Sequence, residues 1–160
     1  MLKEYPLHLD AAIAYARKWA LSRNPAYYDF EMIGGDCTNF ISQCLFAGGA
    51  VMNPTRDTGW YYHSLHDRAA AWTSVQYFYR FMMQNKGVGP FAQEIPYEQA
   101  APGDVLQFGV GAFHHTALVT AARNGMPYLC AHSADVLDVP LAAFLFDRIR
   151  CLRIDKARKW

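Results

Sequence analysis

The sequence lacks several features that would assign it to a large class of proteins. Its 160 residues contain no apolar run of about 20 residues, so no membrane span is predicted. Lysine and arginine together number 15 against 14 acidic residues, and the one basic cluster lies in the tail at positions 156–159. Nucleic-acid binding is therefore not predicted. Internal repeats, linkers and low-complexity tracts are also absent, and we expect a single domain over residues 1–160.

Cysteine is scarce, and no signal peptide is predicted from the N-terminal segment. The four cysteines stand at positions 37, 44, 130 and 151, without a C-x-x-C motif or a disulfide-dense pattern. Glu4, His8 and Asp10 interrupt the apolar residues of the N-terminal segment. We expect a chain that is cytoplasmic as synthesised. Export by a non-classical route, or origin as a piece of a longer protein, are the alternatives, and the oligomeric state is not predicted.

The residues that are present predict an α+β fold, because helical periodicity gives way to strand-like runs halfway along the chain. Helices are predicted over 8–22, 36–47 and 74–84, and a long loop over 50–70. Strands are predicted over 104–108, 115–120, 128–132 and 148–154. Asn124-Gly125 separates two of them and is typical of a hairpin turn. We expect N-terminal helices packed on a C-terminal antiparallel sheet.

The stretch GGDCTNFISQC, residues 34–44, places a cysteine at the start of a predicted helix. Asp36 is expected to cap this helix, and Gly34 and Gly35 to allow a close backbone approach. The positive end of a helix favours thiolate, so Cys37 is a candidate nucleophile with a lowered pKa, alkylated preferentially below about pH 7. Cys44 lies two turns further along the apolar stripe and is expected to pack in the core.

Two histidines are candidates for the catalytic base and its orienting partner. His115 and His132 are nearly equidistant from the turn at Asn124-Gly125, so they can face each other across an antiparallel pair. One imidazole would then accept the thiol proton and the other would hold its tautomer. His114 competes with His115. A purely structural role for these residues and a zinc site on Cys37, His115 and His132 stay open at this point.

The sequence resembles the putative amidase domain family, which is related to the papain-like NlpC/P60 and CHAP cysteine hydrolases. The resemblance rests on Gly34-Gly35-Asp36-Cys37-Thr38-Asn39-Phe40 and continues along most of the chain. Its further elements are Ala14-Tyr15-Ala16, Trp19, Asn24-Pro25, Gly59-Trp60-Tyr61, Ala71-Trp72-Thr73, Gly103–Phe108, His115–Thr120 and Ala131-His132-Ser133. It implies a papain-like NlpC/P60-type fold and a Cys–His–polar triad.

Carried over position by position, the resemblance implies Cys37 as nucleophile, His115 as base and His132 as the third member, with Asp135 in reserve. Asp36, Asn39 and Tyr27 are the supporting candidates, the latter two as oxyanion donors beside the backbone N–H of Cys37. Trp60 and Tyr61 are candidates for a substrate cleft.

The function implied is hydrolysis of an amide bond, in peptidoglycan or a related peptide, through a thioester and without metal or other cofactor. The alternatives are a catalytically inactive domain that binds peptides and a zinc site on the same cysteine and histidines.

Overall fold

The computed structural model describes all residues, Met1–Trp160. The helices are α1 Leu9–Trp19, α2 Cys37–Ala47, α3 Ala70–Thr73 and α4 Val75–Gln84. The strands are β1 Lys3–Pro6, β2 Tyr62–Ser64, β3 Asp67–Arg68, β4 Gly89–Ile95, β5 Val105–Gly109, β6 His115–Arg123, β7 Met126–Ala131, β8 Val136–Pro140 and β9 Arg148–Lys159. None of the helices is long and apolar enough to cross a membrane.

Seven strands form one antiparallel sheet in the order β1-β9-β5-β6-β7-β8, with β4 also paired to β9. The 12 residues of β9 allow it to pair with three strands, β1, β4 and β5. Register shifts interrupt the β4–β9, β6–β7 and β7–β8 pairs. Irregularities of this kind bend strands, so the sheet curls. The strands β2 and β3 form a separate hairpin.

The helices pack on one face of this sheet, and the core is divided accordingly. Alternation along β6 directs Leu118 to the large cluster shared with the helices, and Ala117 to a smaller cluster on the opposite face. On β7, Cys130 lies opposite Leu118 and joins the large cluster. Thus α2 lies against the strand that begins with His115.

The structure confirms the predicted α+β class, the three longer helices and the strands β5, β6, β7 and β9. The Asn124-Gly125 turn has φ values of 51° and 76°, as a two-residue hairpin turn of the type I′ kind requires. The sheet is not purely C-terminal, because β1 pairs with the end of β9. The predicted loop 50–70 contains the β2–β3 hairpin.

Candidate active site

A tight loop delivers Cys37 to the start of α2. Gly34 and Gly35 have φ values of +101° and +97°, which side-chain-bearing residues rarely adopt. A Cβ on Gly35 would lie 3.1 Å from Ser133 Oγ. The same hydroxyl accepts a hydrogen bond of 3.0 Å from the backbone N–H of Asp36. The close approach predicted for the glycines is therefore present at Gly35, and it joins the loop to the segment after β7.

Asp36 holds the loop from inside. Its Oδ1 accepts hydrogen bonds from the Phe30 backbone N–H and from Asn39 Nδ2, both at 2.9 Å. Its Oδ2 lies 2.6 Å from His132 Nδ1. The prediction that its side chain caps α2 is wrong, because Asp36 occupies the N-cap position without a side-chain cap hydrogen bond. The carboxylate is instead turned into the core, where it is fully buried.

His132 is a buried partner of Asp36. Its ring stacks on Phe40 with centroids 3.8 Å apart, and its Nε2 lies 2.8 Å from the Trp19 carbonyl oxygen. Both ring nitrogens thus face oxygen acceptors, Asp36 on one side and Trp19 on the other. Since neither nitrogen is left over, His132 does not hydrogen-bond to His115 in this structure, contrary to the expected orienting contact.

Asp135, the reserve candidate for the third triad position, belongs to a surface ion pair. Arg23 donates two hydrogen bonds to it, of 2.9 and 3.1 Å. Arg23 Nε also lies 3.5 Å from Asp36 Oδ2 and 3.3 Å from Asp29 Oδ1. Burial alone would lower the pKa of Arg23, but the surrounding carboxylates raise it above its ordinary value. This cation connects Asp135 to the Asp36–His132 pair.

The opposite side of Cys37 is an open groove of about 450 Å³. The groove is bordered by the Gly34-Gly35 loop, by the junction of α3 and α4, and by the turn before β6 that carries Phe113 and His114. Cys37 lines its wall, although the residue is only 5% exposed. A ligand in this groove therefore lies beside Cys37.

The environment of the sulfur differs from the expectation of a lowered thiol pKa. Burial raises the pKa of Cys37, and hydrogen bonds from the backbone of Thr116 and from Thr38 offset this only in part. Sγ lies 3.7 Å from the His114 carbonyl oxygen and 3.8 Å from Thr38 Oγ1. Because loss of hydration disfavours the thiolate, the resting group at neutral pH is a thiol.

The two neighbouring histidines occupy different positions. His114 lines the groove, with Nε2 3.2 Å from the Val110 carbonyl oxygen. His115 is the first residue of β6 and pairs with Phe108, whose ring centroid is 5.4 Å away. Strand alternation places it on the face of Ala117. No imidazole nitrogen is hydrogen-bonded to Cys37 Sγ, whose partners are Thr38, the His114 carbonyl and the Thr116 backbone.

The protonation of His115 nevertheless suits a base. Burial lowers the pKa of His115, and the charge of the adjacent His114 lowers it further. The imidazole is therefore neutral at pH 7 and able to accept a proton. Proton transfer from Cys37 would require the His115 ring to turn from the face of Ala117 toward α2, and the assignment of His115 as base stays a prediction.

A chain of buried polar side chains, not anticipated from the sequence, leads to the sulfur. Arg150 Nε donates to Gln107 Oε1 at 2.9 Å, and Gln107 Nε2 donates to Thr116 Oγ1 at 3.2 Å. Thr116 and Thr38 share a hydrogen bond of 2.9 Å between their hydroxyls. The arginine fixes the amide orientation of Gln107, whereas either hydroxyl can be the donor between Thr116 and Thr38. A Thr38 hydroxyl that donates to Cys37 Sγ favours negative charge on the sulfur and lowers the pKa of Cys37.

The supporting candidates Asn39 and Tyr27 make contacts within the fold. Asn39 Nδ2 donates to the Tyr28 carbonyl and to Asp36, and its Oδ1 accepts from Trp72. Tyr27 packs against Tyr62 and Trp72. The Asn39 amide is thus committed to the fold and is not available as an oxyanion donor.

Neither residue predicted for the substrate cleft lines the groove beside Cys37. Trp60 is fully buried, and its Nε1 donates to Ser42 Oγ at 3.0 Å. Tyr61 stacks on His63 and lines a separate polar pocket. Tertiary packing, with Trp60 against Trp72 at 4.5 Å, takes these aromatic rings away from the groove.

The zinc alternative lacks a ligand set. No group of three or more histidine, cysteine, aspartate or glutamate side chains is arranged to hold a metal ion. Cys37, His115 and His132 in particular do not converge, because His132 is turned toward Asp36 and the Trp19 carbonyl.

The fold and the groove define an α+β protein with a cysteine at the start of a buried helix. Residues 7–153 match the model of the Putative amidase domain family, and the chain belongs to that family.

Two relatives come from Bacillus subtilis (strain 168). The chain is 39% identical to Uncharacterized protein YhbB over 131 residues, which cover 78% of this chain and 40% of YhbB. It is 30% identical to Uncharacterized protein YjcM over 140 residues, covering 81% of this chain and 32% of YjcM. The chain thus spans less than half the length of either protein. No solved structure matches the chain.

Proposed function

We propose that the protein is a cysteine-dependent amidase or peptidase that cleaves an amide bond through a thioester. The observation that carries the proposal is the position of Cys37, the first residue of α2 and part of the wall of an open groove. Its sulfur lies against the beginning of β6, the strand that starts with His115. The elements that carry the nucleophile and the candidate base therefore pack against each other, although strand alternation directs the His115 side chain to the face of Ala117, away from α2.

The proposed reaction begins from a neutral thiol and a neutral imidazole. His115 accepts the proton of Cys37 as the sulfur attacks the amide carbonyl carbon, and the carbonyl oxygen becomes an oxyanion. The Cys37 backbone N–H, at the positive end of α2, is the proposed oxyanion donor. His115 then protonates the amine as the C–N bond breaks. Water, deprotonated by His115, cleaves the thioester and releases the carboxylic acid.

His114 is the competing candidate for the base, because its side chain lines the groove. The resemblance favours His115, and so does its lowered pKa, which keeps the ring neutral at pH 7. In this scheme, the Asp36–His132 pair positions the Cys37 loop and takes no part in proton transfer. The reaction uses no metal or organic cofactor.

The fold proposed is papain-like, of the NlpC/P60 and CHAP kind, with the cysteine helix packed on an antiparallel sheet. We further propose that the substrate is a peptide or amide of peptidoglycan or a related polymer. The groove of about 450 Å³ beside Cys37 provides room for part of such a polymer. The substrate proposal otherwise rests on the family resemblance.

The test compares Cys37→Ala with Cys44→Ala, a matched change at a fully buried cysteine. Release of amino groups from purified peptidoglycan and from soluble muropeptides is measured together with thermal unfolding. We expect Cys37→Ala to abolish amide hydrolysis while keeping the melting temperature near that of wild type. Cys44→Ala should keep its activity per folded molecule and lose stability by about 1–2 kcal/mol, because it leaves a small cavity.

Hydrolysis by Cys37→Ala at the wild-type rate would falsify the proposal. If neither wild type nor Cys37→Ala hydrolyses these substrates, while both bind them equally well, the chain is a peptide-binding domain instead.

A further inference from the structure

Arg68, at the end of β3, occupies the boundary between the Cys37 groove and a second pocket. It lines the groove together with Cys37 and is the only lysine, arginine, aspartate or glutamate that does so. It also lines the neighbouring polar pocket of about 420 Å³, where His63 and His66 lie. A ligand group in the groove therefore meets one fixed positive charge.

The guanidinium is held in place by uncharged groups. Its Nε donates to Thr73 Oγ1 at 3.3 Å, and one Nη1 hydrogen is donated to the Leu65 carbonyl oxygen. The guanidinium carbon lies over the ring of Phe30, 4.5 Å from its centroid. Phe30 is 1% exposed and is itself fixed by Asp36 through its backbone N–H. The orientation of Arg68 is thus set before any ligand binds.

The positive charge of Arg68 is unpaired. Arginine carries five N–H donors, and the fold uses two of them here, leaving three without a protein acceptor. Arg17, Arg23, Arg153 and Arg158 all form salt bridges, but Arg68 forms none. The adjacent Asp67 is exposed and is not ion-paired with it. A prearranged cation with free donors in a groove is suited to an anionic ligand.

We propose that Arg68 binds a carboxylate of the substrate, and hence that Cys37 acts on an amide with a carboxylate group nearby. The inference rests on the proposed function and adds to it the chemical class of the substrate. A planar guanidinium with donors on two nitrogens matches a planar carboxylate, which can accept both hydrogen bonds at once. Arg68 is a specificity-determining residue in this scheme, since it contacts the substrate away from the scissile bond.

The experiment uses two alkylating probes that differ in one group. Iodoacetate carries a carboxylate and iodoacetamide a neutral amide, and in both the sulfur displaces iodide to form an S–C bond. The rate of modification at Cys37 is followed by peptide mass spectrometry, and the ratio of the two rates is divided by the same ratio for glutathione. In Arg68→Gln we expect this normalised ratio to fall about tenfold, with the iodoacetamide rate unchanged.

Arg80→Gln is the matched control, because Arg80 is exposed and lies over Tyr77 outside the groove. Its ratio should equal that of wild type. Arg68→Lys keeps the charge without the planar fork, and we expect an intermediate ratio. Added salt should lower the wild-type ratio and leave that of Arg68→Gln unchanged. Modification of Cys44 by iodoacetamide is followed in the same experiment as a check on folding, since unfolding would expose this buried cysteine.

A second measurement identifies the position of the carboxylate. N-acetylglutamine carries its carboxylate on the main chain and N-acetylisoglutamine on the side chain, and each is tested for protection of Cys37 from iodoacetamide. Protection by either compound that is lost in Arg68→Gln supports the proposal and names the position.

Equal normalised ratios in wild type and Arg68→Gln, with Cys37 readily modified, overturn the role of Arg68 and leave the cysteine mechanism standing. A Cys37 inert to both probes overturns the mechanism and the role of Arg68 together. Protection by neither compound counts against a carboxylate-binding groove.

Discussion

The side chains on the two sides of the beginning of α2 differ in how many of their polar atoms have hydrogen-bond partners. On the inner side, Asp36 and His132 are about 1% exposed, and every oxygen and ring nitrogen of the pair has a partner. On the outer side, Cys37 has weak contacts of 3.7 and 3.8 Å, and Arg68 keeps three free donors. Adjacent residues, Asp36 and Cys37, thus belong to different environments.

This difference separates structural from reactive groups. A buried polar group with all of its hydrogen bonds formed stabilises one conformation and has no capacity left for a substrate. A group with free capacity beside a groove can act on a ligand. From this contrast we expect His132, the predicted third member of the triad, to have a structural role, whereas Cys37 is the group beside the groove on which the proposed chemistry depends.

The largest expected effect is on the free energy of unfolding, when the buried contacts of Asp36 on the inner side are removed. Asp36→Ala should lower the free energy of unfolding by about 3–5 kcal/mol, because it removes the buried carboxylate that faces His132 Nδ1 and accepts from Asn39 Nδ2 and the Phe30 N–H. Chemical denaturation measures this loss. Asp135→Ala is the control; it removes a half-exposed partner of Arg23, and we expect a loss below about 1 kcal/mol.

His132→Gln sharpens the same contrast. The variant should be less stable than wild type but keep its amide hydrolysis per folded molecule. Loss of hydrolysis at an unchanged unfolding free energy would return His132 to the catalytic triad.

The next effect concerns the base on the outer side. His115→Gln should reduce kcat/KM by at least about 100-fold, the usual contribution of a general base. In wild type the rate needs a neutral His115, so it rises as pH increases through the pKa of His115. Burial lowers that pKa, and the acid limb of the profile should lie below the ordinary histidine range. Steady-state kinetics between about pH 4 and pH 8 measure both features.

His114→Gln is the companion variant and should retain most of the activity. If His114→Gln loses activity and His115→Gln retains it, the base is His114, the histidine that lines the groove.

The smallest effect concerns the hydroxyl next to the sulfur. Burial raises the pKa of Cys37, so its alkylation by iodoacetamide should increase as pH rises above the ordinary thiol range, and preferential labelling below pH 7 is no longer expected. Thr38→Val removes the hydroxyl that donates to Sγ and should move this profile to higher pH by less than about one unit. Thr38→Ser, which keeps the hydroxyl, should restore the wild-type profile.

The strands β1 and β4, which were not predicted, show where sequence patterns fail to indicate a strand. The strands β1 and β4 pair with β9 but lack the strict apolar alternation of β6 and β7, as the sequences KEYP and GPFAQEI show. Their pairing depends on the 12-residue length of β9, and that partner is far away in the chain. The three longer helices and the Asn124-Gly125 hairpin were predicted correctly, because periodicity and turn residues are local signals.

The candidate site likewise combines features that follow from local sequence with contacts between distant residues. A cysteine at a helix start, next to glycines with positive φ, is readable from residues 34–37 alone. The pairing of His132 with Asp36 is not, since it brings together positions 96 residues apart. The expected meeting of His115 and His132 assumed a regular hairpin. In the structure, β7 ends at Ala131 and the register of β6 and β7 shifts between Val119 and Ala121.

By itself, the sequence determined the fold class, the helix that begins at Cys37, and the family signature around it, because these follow from hydrophobic periodicity and local backbone chemistry. Tertiary structure alone decided which polar groups are satisfied and which remain free. Hydrogen-bond partners, burial and the resulting direction of each pKa shift depend on residues distant in the chain. For that reason only the folded protein separates Asp36 and His132, which hold the loop, from Cys37 and Arg68, which face the groove.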